Sequence, residues 1–223
     1  VNLTLWKYLW QSSGTGLESP DASLSFTYSY YLGGTEYYQH MRGCRPTSGT
    51  LSVSRGMWDQ TMTFVCKDIT IPATSTGDSG TPTYQTSETT SAPLIHSDGG
   101  GSPFTYNSVS YGERSFSTTV TRNMAVMAVN GETDITYTKA TDRSISFTAD
   151  VFAGTASSET ALYTLYESKD ADAASYKVNS VGPVTLTYAN CVLTNYNFTH
   201  SAGSSDALIE SITARAESVT NLS

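Results

Sequence analysis

The sequence predicts an all-β fold: a β-sandwich or split barrel of about nine or ten strands, with one short flanking α-helix and a long polar loop. Apolar residues alternate with Ser and Thr in segment after segment, Asn130-Gly131 is a dipeptide typical of hairpin turns, and only one segment has helical spacing. A chain of 223 residues can bury a core of its own, so residues 1–223 are predicted to form a single domain.

The strands follow from this period of two. In "LSFTYSY", residues 24–30, four apolar side chains alternate with Ser and Thr. "TLSVS" and "TMTFVCK" repeat the pattern, with residues 56–59 predicted as the turn between them. "MAVNGETDITYT" is predicted to be a hairpin, because Asn-Gly accepts positive φ at both turn positions. The remaining strands are predicted at "SISFTADVF", "VTLTYA", "TNYNFTH" and "ALIESITARA", the last of which also fits a helix.

Two segments depart from the alternation. "SSETALYTLYESKDADAAS" places Leu162, Leu165, Tyr166 and Lys169 at helical spacing, which predicts an amphipathic helix of about three turns. Residues 70–105 lack periodicity and contain Gly, Pro, Ser and Thr throughout, so they are predicted to form one long loop.

A weak internal repeat is also present. "NCVLTNYNFTHSAG", residues 190–203, aligns with "GCRPTSGTLSVSRG", residues 43–56. The alignment places Cys191 on Cys44, Thr194 on Thr47, Phe198 on Leu51 and Gly203 on Gly56. The two segments therefore suggest that one hairpin occurs twice in the chain.

Three cysteines are too few for a disulfide framework, so reduced thiols are the default expectation. Cys66 lies in step with Met62 and Phe64, which predicts a small buried apolar residue. Cys44 and Cys191 occupy equivalent places in the repeat, and a bond between them or between subunits stays open.

Composition argues against several classes of protein. The 12 Lys and Arg residues are outnumbered by 20 Asp and Glu residues, and no basic run offers phosphate contacts to a nucleic acid. No apolar run reaches the length of a membrane span, so no membrane partner is expected.

No motif supports catalysis or a cofactor. "GDSG", residues 77–80, resembles a protease nucleophile motif but lies in the predicted loop without packed strands around it. His40, His96 and His200 share no metal-ligand spacing, and each is predicted to be a surface or turn residue. A non-enzymatic protein with no metal and no cofactor is therefore expected.

Aromatic residues are numerous, with 15 Tyr and 3 Trp. Trp6, Tyr8 and Trp10 fall on one face of an extended segment within residues 1–20, a candidate N-terminal arm, and Tyr37 and Tyr38 flank a Gly33-Gly34 turn. Each cluster fits the core or a subunit interface, where large amphipathic rings are enriched.

The order of elements resembles the major tail tube proteins of tailed bacteriophages over most of residues 20–218. The resemblance lies in "MRGCRPTSGTLSVSRGMWDQTMTFVCKD", the long loop, the Asn-Gly hairpin, "SISFTADVF", one helix and "GPVTLTYANCVLTNYNFTHSAGSSDALIESITARAES". It implies a structural subunit of the virion tail, assembled in the host cytoplasm as hexameric rings that stack into a tube. The lumen of that tube would conduct DNA during ejection, without binding it specifically.

The resemblance also assigns candidate surfaces. The two similar hairpins would add strands to a continuous barrel around the lumen, and the partners would be other copies of the chain and other tail proteins. Candidate lumen residues on the wet faces of the central strands are Glu132, Asp134, Asp142 and Asp150. The long loop, with Asp78, Tyr84 and His96, is the first candidate for contact between rings, and the aromatic N-terminal segment is the second.

A different class remains open from the sequence. A virion-surface or secreted β-sandwich adhesin or decoration protein would use the tyrosines and the hydroxyl-rich surface to bind a glycan or a receptor. Such a protein is expected to bind sugar and not to polymerise, whereas a tube protein is expected to polymerise.

Overall fold

The computed structural model describes residues 23–54, 57–73, 104–127, 137–153, 156–177, 185–199 and 208–220. Within these ranges the chain forms twelve strands and one helix. They are β1 (Leu24–Leu32), β2 (Thr35–Ser54), β3 (Met57–Val65), β4 (Asp68–Ala73), β5 (Phe104–Tyr106), β6 (Val109–Tyr111), β7 (Glu113–Met127), β8 (Tyr137–Phe152), α1 (Ala156–Ser168), β9 (Asp172–Lys177), β10 (Thr185–Thr199), β11 (Ile209–Ala216) and β12 (Ser218–Thr220). The predicted fold class is confirmed as mostly β with one short helix, and the antiparallel sheet is not closed into a barrel.

Six strands form a central antiparallel sheet in the order β3-β2-β7-β8-β11-β10. Two of them, β2 and β10, are long enough to belong to two sheets. Their C-terminal halves lie in the central sheet, while the N-terminal half of β2 pairs with β1 and β4 and that of β10 pairs with β9 and β12. The β5–β6 hairpin extends the sheet beyond β9.

One aromatic core joins the central sheet to the second of these flanking sheets. Phe116 of β7 stacks on Tyr176 of β9 with ring centroids 4.0 Å apart, and Phe147 of β8 lies 5.0 Å from Tyr188 of β10. Leu162 of α1 is fully buried in the same core. The helix therefore packs its apolar stripe inward, as its sequence spacing predicts.

Several element boundaries differ from the predictions. Residues 57–59, predicted to be part of a turn, begin β3, because their backbone pairs with residues 52–54 of β2. The first residues of the predicted loop 70–105 belong to β4, and its last two belong to β5. Residues 74–103 lie outside the described chain. The ambiguous final segment is strand β11, and the tail of the predicted helical segment contains β9. Residues 1–20 also lie outside the described chain.

The β7–β8 pairing confirms the hairpin predicted around Asn130-Gly131, although residues 128–136 themselves lie outside the described ranges. The pairing begins at Met127 and Tyr137 and continues to Glu113 and Val151. The long first strand of this hairpin was not predicted.

The internal repeat is confirmed, and it is larger than the sequence suggests. Strands β1–β4, which we call the first repeat, and β9–β12, the second repeat, connect and pair in the same order. In the first repeat Cys44 pairs with Leu24, two residues of β2 are skipped, and Met41 pairs with Phe26. The second repeat has the same irregularity, with Cys191 opposite Asp172 and Tyr188 opposite Ala174.

The corner at which β2 and β10 pass between sheets has the same backbone in both repeats. Gly43 and Asn190 each adopt positive φ, at 59° and 51°. Thr47 and Thr194 each sit in a β-bulge and donate a hydroxyl hydrogen bond to the carbonyl of Thr63 and of Thr213, at 3.3 Å and 3.2 Å. Bulges bend a strand and raise its twist, so these residues position the turn from one sheet to the next.

Across each corner the backbone is closed by one further hydrogen bond. The Lys67 N–H donates to the Arg42 carbonyl at 2.9 Å, and the Glu217 N–H donates to the Ala189 carbonyl at 3.1 Å. The equivalence therefore continues into the third and fourth strands of each repeat.

The cysteines correct the expectation of reduced thiols. Cys44 and Cys66 form a disulfide across the corner of the first repeat, and Cys66 is half-buried instead of lying in the core. Cys191 is a free, buried thiol, and burial raises its pKa to about 12. No bond joins Cys44 to Cys191, because they belong to different corners.

Candidate assembly surfaces

One face of the central sheet is covered by the core, and the other carries short hydroxyl side chains in cross-strand rows. Thr50 of β2 and Thr119 of β7, for example, are direct partners whose hydroxyl oxygens lie 3.1 Å apart. We call this uncovered surface the hydroxyl face. Its Ser and Thr residues, all half-buried or exposed, are Ser48, Thr50, Ser52, Ser54, Thr61, Thr63, Ser115, Ser117, Thr119, Thr121, Ser144, Ser146, Thr148, Ser211 and Thr213.

Two of the four candidate lumen residues lie on the hydroxyl face. Asp142 is exposed and accepts a hydrogen bond from the backbone N–H of Arg143 at 2.7 Å. Asp150 lies between β7 and β11 and accepts hydrogen bonds from Ser115 at 2.9 Å and from Ser211 at 2.6 Å. Glu132 and Asp134 lie outside the described residues.

The candidate lumen residues predicted from the sequence were all acidic, and the hydroxyl face on which two of them lie was not predicted. Asp59 on β3 and Arg215 on β11 are also exposed there. The strand register adds a few other residues to this face, among them Arg45, Phe152, Asn195, Asn197 and Ile209. The signal was present in the sequence, since every second residue of β7, "SFSTTVT", is Ser or Thr. This strand was not recognised, so its alternation was not combined with that of its neighbours.

The two outer strands of the central sheet have edges that pair with no other described strand. At one end, β3 pairs only with β2 among the described residues. At the other, residues 195–199 of β10 pair with β11 on one side and with no described strand on the other. Lys169, at the end of α1, covers part of this edge by donating to the Leu193 carbonyl at 3.3 Å.

The six strands of the central sheet alternate in direction. Each neighbouring pair from β3 to β10 is antiparallel, so β3 and β10 run in opposite directions. If β10 of one copy lay beside β3 of the next copy in the same orientation, the two strands would be antiparallel. Such edges are templates for strand addition.

The β1–β2 hairpin carries the described members of the predicted aromatic interface. Tyr37 stacks on Tyr30 with centroids 5.8 Å apart, while Tyr38 faces the other way and donates to Glu36 at 2.8 Å. Gly33 and Gly34 form the tight turn between the strands with positive φ. The interface candidates Trp6, Tyr8, Trp10, Asp78, Tyr84 and His96 lie outside the described residues.

His40 was predicted to be a surface or turn residue, and that prediction is wrong. Its side chain is 4% exposed on β2. The imidazole Nδ1 lies 3.1 Å from the Thr27 hydroxyl, and the ring stacks on Tyr38. Thr27 is its cross-strand partner and Tyr38 lies two residues away on the same face of β2, so packing within the sheet explains its burial.

Glu113 on β7 is a half-buried acid that contacts the core residue Tyr176. Tyr176 donates a hydrogen bond to Glu113, and burial raises the pKa of this carboxyl group to about 7 even though the hydrogen bond opposes the shift. Glu113 and Glu210 flank Val151 on adjacent strands, and burial with the nearby Glu210 raises the pKa of Tyr111 to about 12.

Metal sites and membrane-spanning helices can both be assessed in the described part of the chain. Within it, no group of three or more His, Cys, Asp or Glu residues has the arrangement of a metal site. The described helix is too short and too polar to cross a membrane. Among the described strands, the central sheet has one uncovered polar face and two edges without a pairing strand.

The chain belongs to the phage tail tube protein family, whose model matches residues 5–216. The tail tube resemblance and the expectation of a non-enzymatic structural protein are thereby confirmed. Family membership also favours a component of the virion tail over an adhesin or decoration protein.

Comparison with solved structures finds similar chains of low sequence identity, three of which follow. A chain in the 6-fold symmetrised baseplate of the anti-feeding prophage is 16% identical, with a TM-score of 0.39, covering 52% of this chain and 87% of that one. A chain in the tail of an empty gene transfer agent particle, refined with C6 symmetry, is 8% identical, with a TM-score of 0.41 and coverages of 51% and 84%. Hcp1 from Flavobacterium johnsoniae is 14% identical, with a TM-score of 0.32 and coverages of 52% and 90%. No curated protein matches the sequence.

Proposed function

We propose that this protein assembles into hexameric rings that stack into a tail tube, and that the tube conducts DNA through a lumen lined by the hydroxyl face. The observation that carries the proposal is the pair of open, oppositely directed edges of the central sheet. Repeated β3-to-β10 contact is heterologous, and such contacts close into a ring when the rotation between subunits permits.

Edge-to-edge addition explains the role of the duplicated hairpins. The β2–β3 hairpin of the first repeat supplies one open edge, and the β10–β11 hairpin of the second supplies the other. Each subunit thus contributes a similar hairpin at both ends of its share of the barrel wall. The closed ring would remove edges that a free β-sheet must otherwise protect.

The chemistry of the hydroxyl face suits passage without retention. Lys and Arg residues bind duplex DNA by releasing condensed counterions. On the described hydroxyl face Arg215 is exposed and Arg45, opposite Val65, is half-buried. Asp59, Asp142 and Asp150 lie on the same face and repel phosphate. The remaining candidate lumen acids, Glu132 and Asp134, are proposed to add to this charge.

The ring is tested by negative-stain electron microscopy and light scattering of the purified protein, together with proline substitutions at Gln60 and Thr61. Backbone N–H groups of adjacent residues point to opposite edges of a strand, so one of these prolines removes a hydrogen bond to β2 and the other removes only an outward donor. Hollow six-fold end views for the wild type are expected, and the folded proline variant is expected to remain monomeric. A wild type that stays monomeric at high concentration contradicts the proposal.

The lumen assignment is tested separately on assembled tubes. Thr119→Lys and Thr148→Lys place cations on the hydroxyl face, and both variants are expected to retain short duplex DNA, with an affinity that falls as salt rises. Wild-type tubes are expected to release it. Equal binding by wild type and variants would place the hydroxyl face outside the lumen.

A further inference from the structure

The two repeats differ in what pairs with their first strand. In the second repeat, β9 is paired on both edges: β10 lies on one side, and β5 on the other along residues 174–176. In the first repeat, β1 pairs with β2 alone among the residues that the structure describes. The backbone of β1 therefore offers an edge whose counterpart is filled within the same chain.

The side chains of these strands show the same difference. Tyr28 and Tyr176 occupy equivalent positions, because Tyr28 pairs with Gln39 and Tyr176 with Leu186 in matching registers. Tyr176 is fully buried against Phe116, whereas Tyr28 is 59% exposed. The same residue is thus a core side chain in one repeat and a surface side chain in the other.

Tyr28 belongs to a continuous aromatic surface. Tyr28 stacks on Tyr30 at 6.2 Å and Tyr30 on Tyr37 at 5.8 Å, while Phe26 lies 4.9 Å from Phe64 of β3. We call Phe26, Tyr28, Tyr30 and Tyr37 the tyrosine face. It carries no charged residue, and Tyr is enriched where protein surfaces meet.

We propose that the outer edge of β1 accepts a strand from a second copy of this chain, paired along residues 26–28, and that this contact joins adjacent rings. The register is the one in which β5 pairs with β9 in the second repeat. The inference rests on the ring assembly proposed above, but it concerns a different edge.

A second copy fits this site for two reasons. The tyrosine face is continuous with the proposed ring contact, since Phe26 packs on Phe64 of the open strand β3. An uncharged aromatic surface also matches a partner of low charge, and only 14% of this chain is charged.

The contact at β1 is assigned to the adjacent ring because the contacts within a ring use other edges. Neighbours within a ring occupy the outer edges of β3 and β10 in the proposed barrel. Strand β2 leaves the central sheet at the Gly43 corner and carries β1 with it into a separate sheet. The outer edge of β1 therefore takes part in neither barrel contact, and we assign it to a copy in the adjacent ring.

The test compares Tyr28→Lys with Tyr31→Lys in the full chain. Both residues are exposed on β1, at 59% and 72%, but Tyr31 lies on the opposite face and pairs with Glu36. Tyr28→Lys is expected to lower the fraction of protein in sedimentable tubes by about tenfold, while rings persist in electron micrographs. Tyr31→Lys is expected to form tubes as the wild type does. Normal tubes from Tyr28→Lys would overturn the inference and leave the ring proposal intact.

Two further measurements assign the occupant. Within residues 26–28, the backbone amides that point away from β2 are expected to exchange with solvent quickly in the monomer and slowly in tubes. Fast exchange of these outward amides in both states would overturn strand addition. The melting temperature of the Tyr28→Lys monomer is expected to equal that of the wild type. A clear drop would show that a segment of the same chain covers the tyrosine face, and would overturn the assignment to a second copy. A wild type that forms no rings would instead contradict the proposed function itself.

Discussion

The two repeats follow the same backbone path but meet different surroundings. In the second repeat, Tyr176, Leu186, Tyr188 and Leu193 are fully buried, whereas the first repeat leaves Tyr28 and much of its hairpin open to solvent. The shared path is set by a positive-φ residue, a bulged threonine and one closing backbone bond. These three backbone features therefore occur both where the surrounding side chains are buried and where they are exposed.

The corners also differ in how they are fastened. A disulfide joins Cys44 to Cys66 in the first repeat. In the second repeat Ala216 takes the place of Cys66, since the Val192–Arg215 pair corresponds to Arg45–Val65, and Asn190 donates a side-chain hydrogen bond to Glu217. Gly43 cannot carry such a side chain, because an added Cβ would approach the Lys67 Cβ to 2.9 Å. The exposed repeat is thus fixed covalently, and the buried repeat by packing and by a polar contact.

The largest expected difference between the repeats concerns their equivalent tyrosines. Tyr176→Ala removes a buried ring and its hydrogen bond to Glu113, and should lower the free energy of unfolding by about 3–5 kcal/mol. Tyr28→Ala should lower it by less than about 1 kcal/mol, because Tyr28 is exposed. Urea unfolding of the two variants as monomers measures both values. Equal losses would contradict the assignment of Tyr28 to the surface.

Reduction of the disulfide should come next in size. The bond closes a loop with a sequence separation of 22, so its loss should lower the free energy of unfolding by about 3 kcal/mol. Unfolding curves with and without dithiothreitol measure this loss. The Cys44→Ala/Cys66→Ala variant should no longer respond to reductant. Cys191→Ala serves as the control and should respond as the wild type does, since Cys191 forms no disulfide.

Glu113 of β7, which is hydrogen-bonded to Tyr176 of the second repeat, should make stability depend on pH. The pKa of Glu113 rises from 4.5 to about 7 on folding, so the folded state binds more protons between these values and stability falls as pH rises through that window. Glu113→Gln keeps an acceptor for Tyr176 and should be more stable than the wild type at pH 8, by on the order of 2 kcal/mol. Near pH 4 the difference should nearly vanish, and a difference that is constant across this range would refute the assignment.

The smallest expected effect tests the equivalence of the two bulges. Thr47→Val and Thr194→Val each remove one hydroxyl hydrogen bond to a backbone carbonyl and should cost about 1 kcal/mol apiece. Thermal unfolding of both variants measures this. Similar losses are expected at the two sites, despite their different surroundings, and a loss at only one of them would argue that the other hydroxyl bond does not contribute to the corner.

Some strands could be predicted from the sequence and others could not, and the difference has a physical reason. Alternation identified β1 and most of β8, because apolar residues alternate with polar residues in both strands. The apolar face is buried in β8 but only half-buried or exposed in β1. It missed the N-terminal half of β2, "TEYYQHMRG", where residues are half-buried on both faces and the period disappears. The repeat was detectable because Cys, Thr and a large apolar residue persist at equivalent positions, although Gly56 and Gly203 lie outside the described residues.

The candidate surfaces depended on information that a single strand does not contain. Asp150 was found because it is charged, but its place between Ser115 and Ser211 requires the pairing of three strands. The disulfide likewise depends on the return of β3 and β4 along β2, which brings Cys66 to Cys44. Pairing partners far apart in the chain leave no periodic signal in either segment.

The pairing of β2 with β7 joins strands that lie far apart in the sequence. It is the direct strand contact between the first repeat and the rest of the described sheet, and the Thr50–Thr119 contact within it spans 69 residues. Hairpins such as β2–β3 and β7–β8 are local and close within microseconds, whereas this contact closes a long loop and should form later. The entropy of loop closure grows only with the logarithm of length, so doubling the connection would cost about 0.6 kcal/mol. Insertions or deletions between β4 and β5 should therefore change stability little while leaving the register of the sheet intact.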